Sequence, residues 1–243
     1  MTNSSVLKEY YIRYLYGVRG LSKSSVSHYV DALNNISRFL IRKKLMESSI
    51  FTIGDIEYLE HIREILFSDP EFIAQDQRGH QMYSAGLNNY CRFAKGEYFS
   101  TVKEKHIAID IPILAKESAV LKVNRQRRSS IIRKQSIEMA NYSCEIDNEH
   151  ESFIAESSHR KYMEGHHAIP TYQQNHFEYS LDVYANIICL CPLCHRRIHY
   201  GLKQDRISML QQIYDVRSER LAQSGIYVSR NDFVALSMEK EAM

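Results

Sequence analysis

EGHHAIP at residues 164–170 and ANIICLCPLCHRRIHYG at residues 185–201 concentrate the chemistry of this 243-residue chain. The span from Glu164 to Gly201 holds five of the eleven histidines and three of the five cysteines. Core packing favours aliphatic side chains, so a histidine pair, a Cys-x2-Cys pair and a His-x3-His pair point to metal chemistry instead. LDVYANIICLC (181–191) is an apolar stretch with β-branched residues, and CPLCHRRIHYG reads as a short helix with Pro192 near its start and Gly201 past its end. On that helix His195 and His199 stand at i and i+4, so both imidazoles leave from one face. Upstream, FIAES (153–157) and KYMEGHH (161–167) read as the strands of a hairpin.

The residues before this region are helical in pattern. Val6, Tyr10, Tyr14 and Leu15 share one face of a helix over 4–16. After Ser24, read as an N-cap, Val26, Tyr29, Val30, Leu33, Ile36, Phe39 and Leu40 keep a three-and-four spacing. Ile56, Leu59, Ile62 and Leu66 predict a third helix ending near Pro70, and residues 81–95 predict a fourth with Tyr83, Leu87, Tyr90, Cys91 and Ala94 inward. The many tyrosines read as core residues with hydroxyls at the rim. After Gly201, Ile207, Leu210, Ile213, Tyr214 and Leu221 give a long amphipathic helix that stops at Gly225. Ser229 and Asp232 then open a short last helix as a capping box.

Net charge is only +2, but KVNRQRRSSIIRK (122–134) carries Lys122, Arg125, Arg127, Arg128, Arg133 and Lys134 with no acid among them. Such a run either neutralises phosphates or is a solvated linker. The expected organisation is a helical bundle over 1–115, a basic linker over 116–140 and a metal-binding domain over 141–243. The N-terminus shows no secretory pattern and no apolar run is long enough to span a bilayer, so the expectation is a cytoplasmic chain without a membrane partner. An odd cysteine count, with three crowded into Cys189, Cys191 and Cys194, favours metal ligation over a disulfide framework.

EGHH, an asparagine nine residues before a histidine, and His-x3-His together resemble the HNH nucleases of the ββα-metal class, especially zinc-stabilised restriction enzymes with CPxCHRxxHxG. The resemblance covers Cys144 to Gly201. It departs from the family where Cys144-Glu145-Ile146-Asp147 replaces an upstream Cys-x2-Cys. The bundle segment YLYGVRGLSKSSVSHYVDALNNISRFL with YSAGLNNYCRFA is similar to the core-binding domains of tyrosine recombinases and to bundles that precede some HNH nucleases. Such a bundle serves either packing and dimerisation or DNA clamping.

The resemblance implies an α+β protein in which the helical bundle is followed by a zinc-containing ββα-metal (HNH) unit and C-terminal helices. For structural Zn2+, Cys191, Cys194 and Cys144 supply three donors. His150 is the expected fourth, with Asp147 as the harder alternative and His159 and Cys189 as weaker ones. By resemblance His167 is the general base, His166 and His195 hold a catalytic ion, and His199 completes its coordination or donates to the phosphate. Asn186 pins the loop carrying His167, and Mg2+ or Mn2+ is the expected ion. Glu164 has no assigned role beyond the hairpin or the ion's surroundings. The expected substrate is double-stranded DNA, cut by a restriction-type enzyme, with a modification-dependent or a nicking or homing nuclease as the alternatives. A homodimer is expected where both strands of a symmetric site are cut. The rival from another class is a zinc-stabilised DNA-binding protein without activity.

Overall fold

The computed structural model describes residues 6–100, 109–115 and 129–239. They divide into two compact units, one drawn from Met1–Tyr98 with Arg127–Ile131 and the other from Phe99–Gln126 with Ile132–Met243. Among the described residues the structure is mostly helical with one small two-stranded sheet. Lys122, Arg125, Arg127 and Arg128 of the basic run lie outside the described residues.

The first unit is built on α1 (Val6–Arg13), α2 (Lys23–Arg42), α3 (Ile56–Ser68), α4 (Pro70–Arg78) and α5 (Met82–Ala94). The first helix does not run straight to residue 16: it widens into a π turn over Tyr14–Val18, where Arg19 N–H reaches Tyr14 O at 2.9 Å. The cap of α2 is Ser22, two residues before the expected Ser24. Ser22 is extended (ψ 157) and its Oγ accepts from Ser25 N–H, which a residue already inside the helix cannot do. Pro70 ends one helix and starts another. Asp69 accepts from Glu71 and Phe72 N–H, and proline at the first helical position has no N–H to leave unpaired. That second role was missed because proline was read only as a stop.

Tyr11, Tyr14, Phe51, Tyr90 and Phe93 form an aromatic core with no ring more than 1% exposed. The tyrosine hydroxyls are not at the rim as expected; Tyr11 donates at 2.9 Å to Asn89 Oδ1 inside the core. Gly86 lets α5 approach α2, since a Cβ there would stand 2.8 Å from the Ala32 Cβ. The start of α5 has an unusual cap. Gln81 sits at φ 63 with no side-chain hydrogen bond, and Asp76 of α4 instead accepts from Tyr83 and Ser84 N–H, both at 3.0 Å.

In the second unit, α6 (Ser130–Met139), of which Ser130 and Ile131 belong to the first unit, occupies part of the stretch expected to be linker. It is helical because Ile132, Gln135 and Ser136 fall on one face and are buried. Tyr184 donates to the Gln135 carboxamide at 2.5 Å. The sheet joins β1 (Glu164–His167) to β2 (Ile187–Leu190) in antiparallel register, with Gly165 opposite Cys189 and His166 opposite Ile188. The expected hairpin of FIAES with KYMEGHH is reduced to one bridge, Ile154 to Lys161. The burial explains the choice of partner: β2 is buried at all four positions, whereas Phe153 and Ile154 are each 62% exposed and offer no covered face. Directly after β2 comes α7 (Pro192–Tyr200), then α8 (Lys203–Gln223) and α9 (Arg230–Met238). Gly225 ends the α8 region at φ +80, and Ser229 caps α9 through Asp232 N–H.

Asp76 is expected to matter out of proportion to its exposure. Asp76→Ala should lower unfolding stability by about 1–2 kcal/mol in a denaturant titration, the usual cost of an N-cap, while Asp31→Ala on the solvent side of α2 should leave the midpoint unchanged.

Candidate metal centres

Two clusters of ligand atoms stand on either side of the start of α7. In the first, one atom each from Cys144, His150, Cys191 and Cys194 lies within 4.8 Å of every other. His150 Nδ1 is 3.3 Å from Cys194 Sγ and 3.8 Å from Cys191 Sγ. A tetrahedral site with Zn–S of about 2.3 Å and Zn–N of about 2.0 Å needs ligand spacings of about 3.5–3.8 Å, so these four residues could hold a metal ion such as zinc. Asp147, the alternative to His150, is turned to other work. Its Oδ1 accepts from Glu149 N–H, and its Oδ2 lies 3.7 Å from His150 Nε2. Neither His159 nor Cys189 joins the group; Cys189 is fully buried in the ladder opposite Gly165.

The charge balance of the thiols also fits a cation. Burial opposes ionisation of Cys144, but N–H groups of Cys191 and Ile146 and the His150 ring bond to its sulfur and bring the thiol down to about 7. Burial pushes the Cys194 thiol up, and the neighbouring Cys144 and Cys191 sulfurs add to the rise. Ionisation is thus favoured at Cys144 and resisted at Cys194, a balance that a cation among the sulfurs would relieve.

Local structure explains how distant ligands meet. Cys191 is the N-cap of α7, with its Sγ accepting from Cys194 N–H, so the Cys-x2-Cys pair is bound into the first turn of the helix. Cys144 arrives through its neighbour. Glu145 N–H donates to Cys189 O at 2.9 Å, and Glu145 Oε1 accepts from Cys189 N–H at 2.8 Å. The same carboxylate is ion-paired with Arg217 of α8, which is 5% exposed and also donates to Tyr184 O. Burial pulls the Arg217 pKa down while Glu145 opposes it.

The second cluster is His166, His195 and His199, whose ligand nitrogens also lie within 4.8 Å of one another. The three ring centroids are 4.9–5.1 Å apart, and His195 Nε2 is 3.3 Å from His199 Nε2. Strand alternation puts Glu164 on the same side of β1 as His166. There its carboxylate bonds to His195 Nδ1, leaving Nε2 of that ring directed at the trio. Glu164 is thus part of the site, and its spacing two residues before His166 was the available signal.

His167 faces the other way. Its side chain is 4% exposed and its Nε2 is 2.9 Å from Asp182 Oδ1. Asn186 is fully buried: its Oδ1 accepts from Ile169 N–H at 2.9 Å, and its Nδ2 donates at 2.8 Å to both Ile169 O and Leu181 O. Asp182 carried no local pattern and went unnoticed in the sequence. Of the basic run, Lys134 is engaged by Glu138 and the Tyr142 hydroxyl, and the Arg133 stem packs where Gly165 has no side chain, with Nε out of solvent. Comparison with protein-family models, curated proteins and solved structures finds no match for the chain.

Metal analysis of the purified chain should find a tightly held ion that Cys191→Ser releases, with a lower melting temperature. A zinc-free Cys191→Ser chain melting like the wild type would contradict a structural role for that group. Asn186→Ala should cost about 3 kcal/mol, because three buried backbone groups lose their partner at roughly 1 kcal/mol or more each. Chemical denaturation of the metal-loaded protein reads this directly.

Proposed function

We propose that this chain is a metal-dependent endonuclease of the HNH type that hydrolyses phosphodiester bonds in double-stranded DNA. The observation that carries the reading is the convergence of His166, His195 and His199 on one point from a strand and the helix that follows its partner strand. Three protein donors leave positions open for a water and a phosphate oxygen, whereas the Cys144, His150, Cys191 and Cys194 group is a closed set of four and suits a structural Zn2+. An ion held by His166, His195 and His199 would supply charge to the scissile phosphate and activate water. The chain's own residues do the rest. Glu164 orients His195, β1 and α7 hold the three rings at fixed spacing, and His167 is the candidate acceptor of the water proton.

The donor set changes the expectation for the ion. Three imidazoles suit Ni2+ or Zn2+ better than Mg2+ or Mn2+, which prefer oxygen ligands. The helix surface beside the trio suits a polyanion. With successive residues about 100° apart on α7, Leu193, Arg196, Arg197 and Tyr200 form an outward stripe beside His199, and all four are exposed. Restriction of unmodified DNA is the form of activity we favour. Methylation dependence, nicking and mobile-element cleavage are distinguished by the ends released from methylated and unmethylated duplexes.

A supercoiled plasmid should be cut in the presence of one or more of Mg2+, Mn2+, Ni2+ and Zn2+. His195→Ala and His167→Ala should each lower the rate by at least about 100-fold. Binding without cutting under every ion would instead support the inactive DNA-binding reading. In the same protein without added divalent ion, Arg196→Gln with Arg197→Gln should reduce the slope of log affinity against log salt by about two, near 0.9 per phosphate contact.

A further inference from the structure

β1 has two faces, and the metal chemistry uses only one. Glu164 and His166 meet His195 and His199, while Gly165 and His167 turn toward the interior, where a Cβ on Gly165 would meet the Arg133 side chain at 3.2 Å. On this inner side His167 is 6% exposed and meets Asp182, a residue from the loop between Ser180 and Tyr184. A buried imidazole against a carboxylate oxygen at 2.9 Å is a directed contact, because only a ring N–H can satisfy that oxygen.

The surrounding bonds hold this pair in register. Ile169 is two residues after His167, and Leu181 is the residue before Asp182. The Asn186 carboxamide bonds to both, through two bonds with Ile169 and one with Leu181. Ala168 N–H adds a bond to the Asn186 carbonyl oxygen at 2.8 Å. Asp182 N–H is in turn tied to Ser180 Oγ at 3.2 Å. The segment leaving β1 and the loop carrying Asp182 are therefore stitched together on either side of the His167–Asp182 contact. Ile169 and Leu181 are themselves fully buried, which leaves that stitching little room to slide.

We infer that Asp182 is a positioning residue: its carboxylate accepts a hydrogen bond from His167 Nε2–H and thereby holds the ring in the tautomer whose Nδ1 is a bare acceptor, with Asn186 fixing the distance between the two segments. No atom is transferred in this step. A carboxylate oxygen that accepts from one ring nitrogen leaves the other as the acceptor, which is how a carboxylate sets the identity of an accepting nitrogen. The role of the bare Nδ1 as proton acceptor rests on the nuclease reading, but the tautomer does not.

The two claims have separate readouts. Ring-nitrogen NMR of the full metal-loaded chain, labelled at histidine and assigned with His167→Gln, should show a protonated Nε2 and an unprotonated Nδ1 for His167 at pH 8. A proton on Nδ1 overturns the inference, as does an unchanged ring spectrum in Asp182→Ala. In DNA cleavage, Asp182→Ala should lower kcat by about 10- to 100-fold with little change in KM, and should have no further effect in a His167→Ala background, because it acts only through that ring. An equal loss in both backgrounds overturns it. Circular dichroism and bound zinc report whether Asp182→Ala is folded, and the wild-type ring spectrum decides the tautomer even where it is not. A wild type that cuts no DNA with any ion overturns the nuclease reading and leaves the ring nitrogens to judge Asp182.

Discussion

The first turn of α7 is the joint on which the second unit depends. Cys191 caps the helix, Cys194 lies in its first turn, and both face Cys144 and His150 from a segment more than forty residues earlier. Sulfur and helix N-terminus suit each other, since the partial positive charge there favours an anionic donor. The consequence reaches one residue further. His195 follows Cys194 directly, so the orientation of the histidine trio is inherited from the cysteine group. A disturbance of the cysteine group would reach the histidines through that turn.

Glu145 shows how such a joint is assembled without a long strand. The sheet has only two named strands, yet β2 is bonded on both sides, by β1 along one edge and by both the backbone and the carboxylate of Glu145 on the other. Arg217 then anchors that carboxylate from α8. Charge, ladder and metal donors therefore share one small buried volume. Removing either partner of the Glu145–Arg217 pair leaves an uncompensated charge there, a heavier penalty than the pair's own contribution.

Much of this was legible in the sequence where a pattern is local. Cys-x2-Cys and His-x3-His sit on one helix, and their spacing alone puts four donors on neighbouring faces. His150 was preferred over Asp147 on ligand softness, and it is His150 that stands among the sulfurs. The partner of β1 was not legible. FIAES lay at hairpin distance, but pairing followed burial, and the buried run IICL lay twenty residues on. Asp182 and Asp76 were invisible for a related reason: each acts through side-chain bonds to residues at separations that no periodicity records. The N-cap of α2 was misplaced by two residues because Ser22, Ser24 and Ser25 are chemically equivalent, and only the backbone angles choose among them.

The cysteine group also closes a loop. His150 and Cys191 are 41 positions apart, and everything between them leaves and returns through one clasp. Closure entropy grows only with the logarithm of length, so doubling such a loop costs about 0.6 kcal/mol. The stretch at 152–162, where Phe153 and Ile154 are exposed, can therefore lengthen or change at little entropic cost, whereas 170–181 is held through Leu181 by bonds to Asn186 and Gln174. A metal ion held by these four residues would make the chain evolvable at that exposed stretch, where length can change while the histidine rings keep their places.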